Sequence, residues 1–470
     1  MGPPKGGQAV ARVFPLRNVL RPYQLEVARA VLESVRRRLG LTFTVMMSRQ
    51  AGKNELSAQM ELYLLARHLH RPEELVKCAP TFDPQARISL RRLWQRLEEA
   101  GLGELASLEE GRAVRLGRAR QLFLSAEPTA HVVGHTATLL LEVDEAQEVE
   151  REKFQRDFLP MVAATGATVV LYGTPWDGST LLEEMAEHHR ELERRDGVRR
   201  HFQWDWQEVA RHNPAYARFV EAERLRLGEE HPLFRTQYAL RPIGGGGRLF
   251  SPSQLAQLRG EHPRQAAPRP GECYVAGLDL GGQDWDGGSR SHDATVLTIA
   301  RVLFPPPEAV VQEPLLEVVE QRAFVGTPHD ELYAVLADLL GRVWRVRRVA
   351  VDATGLGETL ARLLARSLGE GAVLPLRFSA EVKSRLGYGL LAAVNGGRLR
   401  LYAQDGSAEW REAWRELEAA RAVYRPGRGM SFYVPEGQGH DDYLVSLALT
   451  VAAAAGLSGP RVARGRPTRG

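Results

Sequence analysis

The stretch TFTVMMSRQAGKNE, Thr42 to Glu55, decides how the first half of the chain is read. Its apolar and β-branched start, Thr42 to Met47, predicts a buried strand, Ser48 to Gly52 a tight loop, and Lys53 the start of a helix. A strand that turns through Gly-Lys into a helix offers free backbone N–H groups to a polyphosphate. Gly52 lets the backbone pass close to the oxygens, and the Lys53 ammonium reaches the outer ones. Ser48, Arg49, Gln50, Ala51, Gly52, Lys53 and Asn54 are therefore the candidate phosphate-binding residues. Two of the positions depart from the usual pattern: Met47 stands where such a loop begins with Gly, and Asn54 where Ser or Thr holds magnesium.

A phosphate loop needs a partner, and TLLLEVDEAQEV, Thr138 to Val149, supplies one. An apolar strand delivers Asp144 and Glu145 at its C-terminal end. Asp144 would hold magnesium, directly or through water, and Glu145 would orient or deprotonate the attacking water. Glu142, inside that strand, is expected to face a polar edge or a partner. A further strand, ATVVLYGTPWDGS, places Thr174 at its tip, where a hydroxyl can sense the γ-phosphate or merely build a turn.

Working outward, RPYQ, Arg21 to Gln24, precedes a helix whose Leu25, Ala28, Leu32, Val35 and Leu39 predict one buried face. The Gln24 amide can both donate to and accept from an adenine edge, or be ordinary surface. Leu56, Met60, Tyr63 and Leu64 predict one packed face on the helix after the loop. LVKCAPTFDPQA, from Leu75, reads as a second strand, expected beside the first in a doubly wound sheet. Arg112 to Ser125 reads as a basic hairpin and its exit strand, and Leu181 to Ala239 as helical and charged.

Composition bounds the rest. The chain has 470 residues, long enough for two or three domains, and its 62 Lys+Arg nearly balance 58 Asp+Glu. Two cysteines, Cys78 and Cys273, stand too far apart in sequence for a disulfide scaffold or a Cys-based zinc site. The start MGPPKGGQAV has no apolar signal core, and the longest apolar run, Leu447 to Leu457, is too short to cross a bilayer. The expectation is a protein of a reducing cytoplasm, not secreted and with no membrane partner.

In the second half, YVAGLDLGGQ places Asp279 on a strand, and the following loop carries Asp284, Asp286 and Asp293. That loop lacks the closing Glu and the placed Gly of a calcium-binding EF-hand. RRVAVDATGLGE ends a strand at Asp352, and GQGHDDYLVSLAL sets His440, Asp441 and Asp442 at a helix start. Carboxylates from a first strand, a later strand and a helix start are what a two-metal nuclease needs to activate water and stabilise the leaving oxygen. Oxygen ligands select Mg2+ or Mn2+. Asp279 is the expected bridging ligand, flanked by Asp352 and Asp442; Asp441 is either a further ligand or a helix cap. Lys383 either balances this charge and touches phosphate or is plain surface.

Together SRQAGKNE, VDEAQ, YGTP and this carboxylate triad closely resemble the large terminase subunit of tailed bacteriophages, over roughly residues 20 to 455. SRQAGKNE resembles that family's variant loop, in which Arg49 has a conspicuous place and the first Gly is often missing. The resemblance implies an α/β chain with a P-loop, RecA/ASCE-like ATPase domain, a helical lid and a ribonuclease-H-like nuclease domain. It implies ATP and Mg2+ at the first site and two Mg2+ or Mn2+ at the second. Its implied activity is ATP-driven packaging of double-stranded DNA and cutting of concatemers. The implied partners are a portal protein, a small terminase subunit and further copies in a ring on the procapsid, within the bacterial host cytoplasm. Family members commonly supply an Arg shortly before the acidic strand that reaches into the neighbouring subunit's ATP site; EPTAHVVGHTA has none, which leaves Arg49, Arg118 or Arg120 to take the role, or nothing equivalent.

The expected boundaries are a disordered start (1–15), an ATPase domain (16–243) with its lid at about 181–240, and a Gly/Pro hinge and linker (244–271). A nuclease domain (272–457) and a basic disordered tail (458–470) follow. Two rivals remain. A helicase-like remodeller shares RPYQ, the loop and DEAQ but requires a second motor domain. A non-catalytic assembly scaffold would have no need to keep Lys53, Glu145 and the three Asp.

Overall fold

A computed structural model describes residues 19–244, 246–281, 294–355, 357–425, 427 and 429–459. The expected disordered start, Gly245, the loop with Asp284, Asp286 and Asp293, and the basic tail from Arg461 lie outside the described residues. The chain divides into two compact units, Met1–Val220 with Arg235–Gly244, and Glu221–Phe234 with Gly245–Gly470. The division differs from a lid carried wholly by the first half, since 221–234 groups with the second unit.

The first unit is built on an eight-stranded sheet. Its strands are β1 (Thr42–Met47), β2 (Glu74–Ala79), β3 (Ala106–Glu109), β4 (Ala113–Leu116), β5 (Ala119–Ser125), β6 (Leu140–Val143), β7 (Thr168–Gly173) and β8 (His201–Trp204). They lie in the order β3-β4-β5-β2-β6-β7-β1-β8. From β5 to β8 every pair is parallel, while β3, β4 and β5 pair antiparallel. The second strand is thus not beside the first: β6 and β7 lie between β2 and β1. The strand carrying Asp144 is accordingly one removed from the strand that feeds the loop.

Helix α1 (Pro22–Arg37) buries Tyr23, Gln24, Val27, Val31 and Val35, whereas Leu39 is 48% exposed. Of the expected stripe Ala28 and Val35 are buried and Leu25 and Leu32 half-buried, while Leu39 lies past the left-handed Arg38 that ends the helix and does not join it. Helix α2 (Lys53–Arg67) buries Leu56, Ser57, Met60, Glu61, Leu62 and Leu65, so it is enclosed on more than the single face expected. Helices α3 (Leu181–Asp196) and α4 (Pro214–Leu227) follow. Between them HFQW forms β8 and closes the sheet edge beside β1, a strand inside the stretch expected to be helical throughout.

The second unit holds a six-stranded sheet of β10 (Cys273–Asp279), β11 (Thr295–Leu303), β12 (Leu315–Phe324), β13 (Arg348–Asp352), β14 (Val373–Leu376) and β15 (Leu399–Arg400). Its order is β14-β13-β10-β11-β12-β15. The first three strands in sequence form an antiparallel meander, and β13 then β14 add in parallel on the other side of β10. Both faces are covered. Val275 and Ala350 pack with Leu390, Trp414 and Leu447, and Tyr274, Leu278, Val349 and Val351 with Leu336, Leu340, Leu360 and Leu364. The first set belongs to α5 (Ala380–Asn395), α6 (Ala408–Ala419) and α7 (Asp442–Ala454).

The two units divide at Gly244–Gly245, and past that point the Gly-rich stretch is paired rather than loose. Gly246 and Gly247 of β9 (Gly246–Arg248) pair with Val423 and Ala422 of β16 (Arg421–Arg425), which also pairs with β17 (Gly429–Tyr433). A Cβ on Gly246 would stand 3.0 Å from the Ala422 carbonyl oxygen. Leu249, Phe250 and Leu258 follow and are buried in the second unit's core. Burial of such side chains is worth about 1.5–3 kcal/mol each, enough to outweigh the freedom of the glycines. Among the described residues no helix is long and apolar enough to cross a membrane.

Candidate functional sites at two strand edges

Alternation along β6 and β2 sets up the first site. Val143 and Cys78 face the apolar core, so Glu142 on β6, Asp144 just past its end and Lys77 on β2 face α2. On α2 the residues spaced by four, Lys53, Ser57 and Glu61, lie along one side. The two rows meet. Lys53 Nζ lies 3.0 Å from Glu145 Oε1. Beneath it Lys77 Nζ donates to Ser57 Oγ at 2.7 Å, Ser57 Oγ contacts Glu142 Oε1 at 2.7 Å, and the Tyr172 hydroxyl donates to the same Glu142 oxygen at 2.9 Å. Glu61 Oε1 stands 3.4 Å from Lys77 Nζ. Glu142 is therefore a fully buried member of a charged network and faces no edge or partner. Burial, and next the Glu61 charge, hold its pKa well above the usual carboxylate range. Asp144 is also raised by burial, with Lys77 and Lys53 opposing.

The loop itself is clamped from three sides. Gln50 (φ 62°) and Gly52 (φ 97°) take left-handed conformations, and Ala51 N–H donates to the Ser48 carbonyl at 3.0 Å. The Tyr23 hydroxyl donates to the Ala51 carbonyl at 2.7 Å. Gln24 Nε2 donates to the Gly52 carbonyl at 2.9 Å, and Gln24 Oε1 accepts the Arg21 N–H at 2.9 Å. Gln24 is thus buried and tied to the chain through one amide N–H and its oxygen, so it is not ordinary surface; a Cβ on Gly52 would come within 2.6 Å of Gln24 Nε2. Ser48 is fully buried, with its Oγ 2.8 Å from the Tyr216 hydroxyl. Arg49 N–H donates to the Gln237 carbonyl at 2.7 Å, and its Nη1 to Gln237 Oε1 at 2.7 Å. Lys53, Asn54 and Glu55 open α2, where first-turn N–H groups have no intrahelical acceptor.

Glu145 sits at the strand tip in a left-handed conformation (φ 46°), its N–H donating to Asp144 Oδ1 at 3.1 Å. Gln147 ties the tip together: its Nε2 donates to Glu145 Oε2 at 2.6 Å and its Oε1 accepts the Thr174 N–H at 3.3 Å. Thr174 is buried at the end of β7. Arg120 donates to Glu74 at 2.7 Å and, with Arg118, stands at the start of β5, the opposite sheet edge from Lys53. Of the three arginines considered, Arg49 alone belongs to this edge.

In the second unit alternation again chooses the residues. Gly277 and Asp279 on β10, and Ala350 and Asp352 on β13, point to the α7 face, and Leu278 pairs with Val351 just before the two carboxylates. Gly277 lets α7 approach: a Cβ there would stand 2.2 Å from the Ser446 carbonyl oxygen. Ser446 Oγ donates to the Gly277 carbonyl at 3.1 Å, one helical turn after Asp442. That turn directs Asp442 to the strand ends, where its Oδ2 accepts the Ala294 N–H at 3.0 Å. Asp352 Oδ1 accepts the Thr354 N–H at 2.9 Å and hydroxyl at 2.6 Å. Asp279 is 7% exposed; burial and then the Asp442, Asp352 and Asp441 charges raise its pKa well above normal, opposed by Lys383. Asp441 holds the N-cap position of α7 but makes no side-chain cap bond. Glu416 accepts the Leu444 N–H at 2.9 Å on its Oε2, with its carboxyl pushed up to about 9, chiefly by burial.

The donor set is all carboxylate oxygen, as hard divalent cations require. Among the described residues no three His, Cys, Asp or Glu are close enough together to hold one ion. The set fits Mg2+, which is commonly held by one or two carboxylates and completed by water and phosphate. Tyr23, Gln147, Tyr216, Gln237 and Glu416 were not foreseen from the sequence; of these, Tyr23, inside RPYQ, and Gln147, inside DEAQ, lay in quoted motifs.

No protein-family model matches the chain, and no curated protein matches it in sequence. Among solved structures it is similar to the large terminase of a thermophilic bacteriophage, at 13% identity and a TM-score of 0.56, over 93% of this chain and 99% of that one. The same terminase in complex with ADP matches at 14% identity and a TM-score of 0.53, covering 92% and 98% of the two chains. Its complex with ATP-γ-S matches at 14% identity, a TM-score of 0.52 and the same coverage. The chain thus has the α/β fold of a bacteriophage large terminase.

Proposed function

We propose that this chain is the large subunit of a DNA-packaging terminase, an ATPase and a metal-dependent endonuclease in one polypeptide. The observation that carries the reading is that one chain joins Lys53 against Asp144–Glu145 at one parallel-sheet edge with Asp279, Asp352 and Asp442 at a second edge. The likeness to the thermophilic phage terminase, a protein seen with ADP and ATP-γ-S, supports it.

In the first unit, a P-loop ATPase domain of the ASCE arrangement, the α2 N-terminus and Lys53 bind the phosphates of ATP. Lys53 then exchanges Glu145 for phosphate, which frees Glu145 to orient water, while Arg49 is placed to reach a phosphate. Asp144 holds the magnesium of ATP, and an amide oxygen at Asn54 takes the part usually played by a hydroxyl. Loss of the γ-phosphate would be felt at Thr174 through the Gln147 bridge.

The second unit's strand order, a three-stranded meander extended by two parallel strands, supports a ribonuclease-H-like nuclease. That mixed sheet is not the parallel sheet a second motor domain would bring, which disfavours a helicase-like remodeller. Asp279, Asp352 and Asp442, with Asp441 as a further candidate, would hold two Mg2+ or Mn2+, which supply the activated water and stabilise the leaving oxygen. Lys383 is placed to offset charge there. Double-stranded DNA is the substrate, with a portal protein, a small subunit and further copies in a ring as partners, in the host cytoplasm and transiently at the procapsid vertex. ATP hydrolysis by wild type and Glu145→Ala tests the motor half: the variant is expected to fall by about 10²-fold or more, and equal rates would refute the assignment.

A further inference from the structure

We propose that Glu416 is a positioning residue of the nuclease edge: it fixes the end of α7 that carries Asp442. The inference rests on the nuclease reading above.

The first N–H groups of a helix need acceptors from outside it, and the residue before the helix usually supplies one. Asp441 stands at that place in α7, with φ −112° and ψ 17°, and its side chain makes no cap hydrogen bond. The acceptor comes instead from α6: Glu416 Oε2 takes the Leu444 N–H at 2.9 Å. Glu416 is 1% exposed, so water cannot readily take its place. The rest of α7 is held independently. Ser446 Oγ bonds the Gly277 carbonyl at 3.1 Å and Thr298 Oγ1 at 2.8 Å, and Thr450 Oγ1 reaches the Thr298 carbonyl at 3.4 Å. Loss of the Glu416 acceptor therefore loosens the first turn while the later turns stay on the sheet. That turn contains Asp442, so the defect falls on the carboxylate set. Capping is thus left to α6, while Asp441 remains one of the charges acting on Asp279.

The test uses the full chain with Glu416→Leu and Glu416→Gln. Plasmid cleavage is followed against Mg2+ concentration, with ATP hydrolysis and thermal unfolding on the same preparations. Glu416→Leu is expected to need about tenfold more Mg2+ for half-maximal cleavage, the usual effect of losing a residue that orients a ligand. Its ATP hydrolysis should stay at the wild-type rate. Glu416→Gln, whose amide oxygen can still accept the Leu444 N–H, should remain within about twofold of wild type. Unchanged metal dependence in Glu416→Leu overturns the inference. So does a loss equal at every Mg2+ concentration that follows a loss of folded protein, or a Glu416→Gln variant as impaired as Glu416→Leu. Wild type that cuts with neither Mg2+ nor Mn2+ overturns the nuclease reading itself, and this inference with it.

Discussion

The two strand edges solve the same problem, carboxylates gathered in a poorly hydrated place, in opposite ways. In the first unit the protein brings its own cations: Lys53 lies 3.0 Å from Glu145, and Lys77 lies among Ser57, Glu61 and Glu142. In the second unit Asp279 faces Asp442, Asp352 and Asp441, with Lys383 the opposing charge. The first edge is the better balanced, with two lysines to four carboxylates against one to four, and we propose that the second draws its further positive charge from a bound cation. The comparison teaches that buried acidity can be answered in two ways, by the protein's own lysines as in the first unit or with little internal cation as in the second.

Breaking the balanced edge should have a large effect. Lys53→Ala removes both the partner of Glu145 and the phosphate contact. ATP hydrolysis is expected to fall by about 10²- to 10³-fold, read in a steady-state assay, while nuclease activity on plasmid remains.

The unbalanced edge should respond to neutralisation and to metal together. Asp279→Asn relieves like-charge repulsion and should raise metal-free stability by about 1 kcal/mol or more. Magnesium at about 100 times its dissociation constant should add about 2.7 kcal/mol to wild type and nothing to the variant. Thermal unfolding with and without Mg2+ reads both. Asp144→Asn, where Lys77 and Lys53 already oppose the charge, should gain less than Asp279→Asn.

The units should also show opposite pH slopes. In the first, His189 and His201 share Thr44 Oγ1, at 3.0 and 2.9 Å, and burial lowers both to about 4. Their folded pKa values lie below the unfolded value of about 6.5. The unfolded chain therefore binds more protons, and their contribution to stability falls as pH drops from about 6.5 to 4, by up to about 1.4 kcal/mol per unit for each. Asp279 is shifted the other way. Its contribution is present below its unfolded value of about 3.9 and is lost as pH rises through its raised folded value, unless metal is bound. Replacement of His189 and His201 together by Gln should flatten the acid limb of a pH–stability curve and leave the alkaline limb unchanged. The smallest expected effect is that of Gln24→Ala, which frees the Gly52 carbonyl; it should raise KM for ATP several-fold with little change in fold.

The local elements at the two candidate sites were more legible than the frame that holds them. The Thr42–Glu55 strand, loop and helix, and the strand ends at Asp144, Asp279 and Asp352, could be read because apolar runs and terminal carboxylates are local signals. Strand order was not local, and so β2 proved to be separated from β1 by two strands. β8 is four residues long and flanked by charged helices, too short for its alternation to stand out. Gly246 and Gly247 read as a hinge because a lone sequence cannot show that β16 lies beside them. Glu142 looked like an edge residue because its compensation, Ser57, Lys77 and Tyr172, comes from three other elements. Ordinary surface stayed open for Gln24 because its two backbone partners cannot be seen in the order of residues.

The most direct measurement of two separate sites in one chain is plasmid cleavage with Mg2+ or Mn2+, beside ATP hydrolysis, for wild type and Asp352→Ala. The account predicts that wild type cuts and hydrolyses, whereas the variant loses cleavage by about 100-fold or more and hydrolyses at the wild-type rate. Equal cutting by both, or a variant that loses hydrolysis together with cleavage, would contradict it.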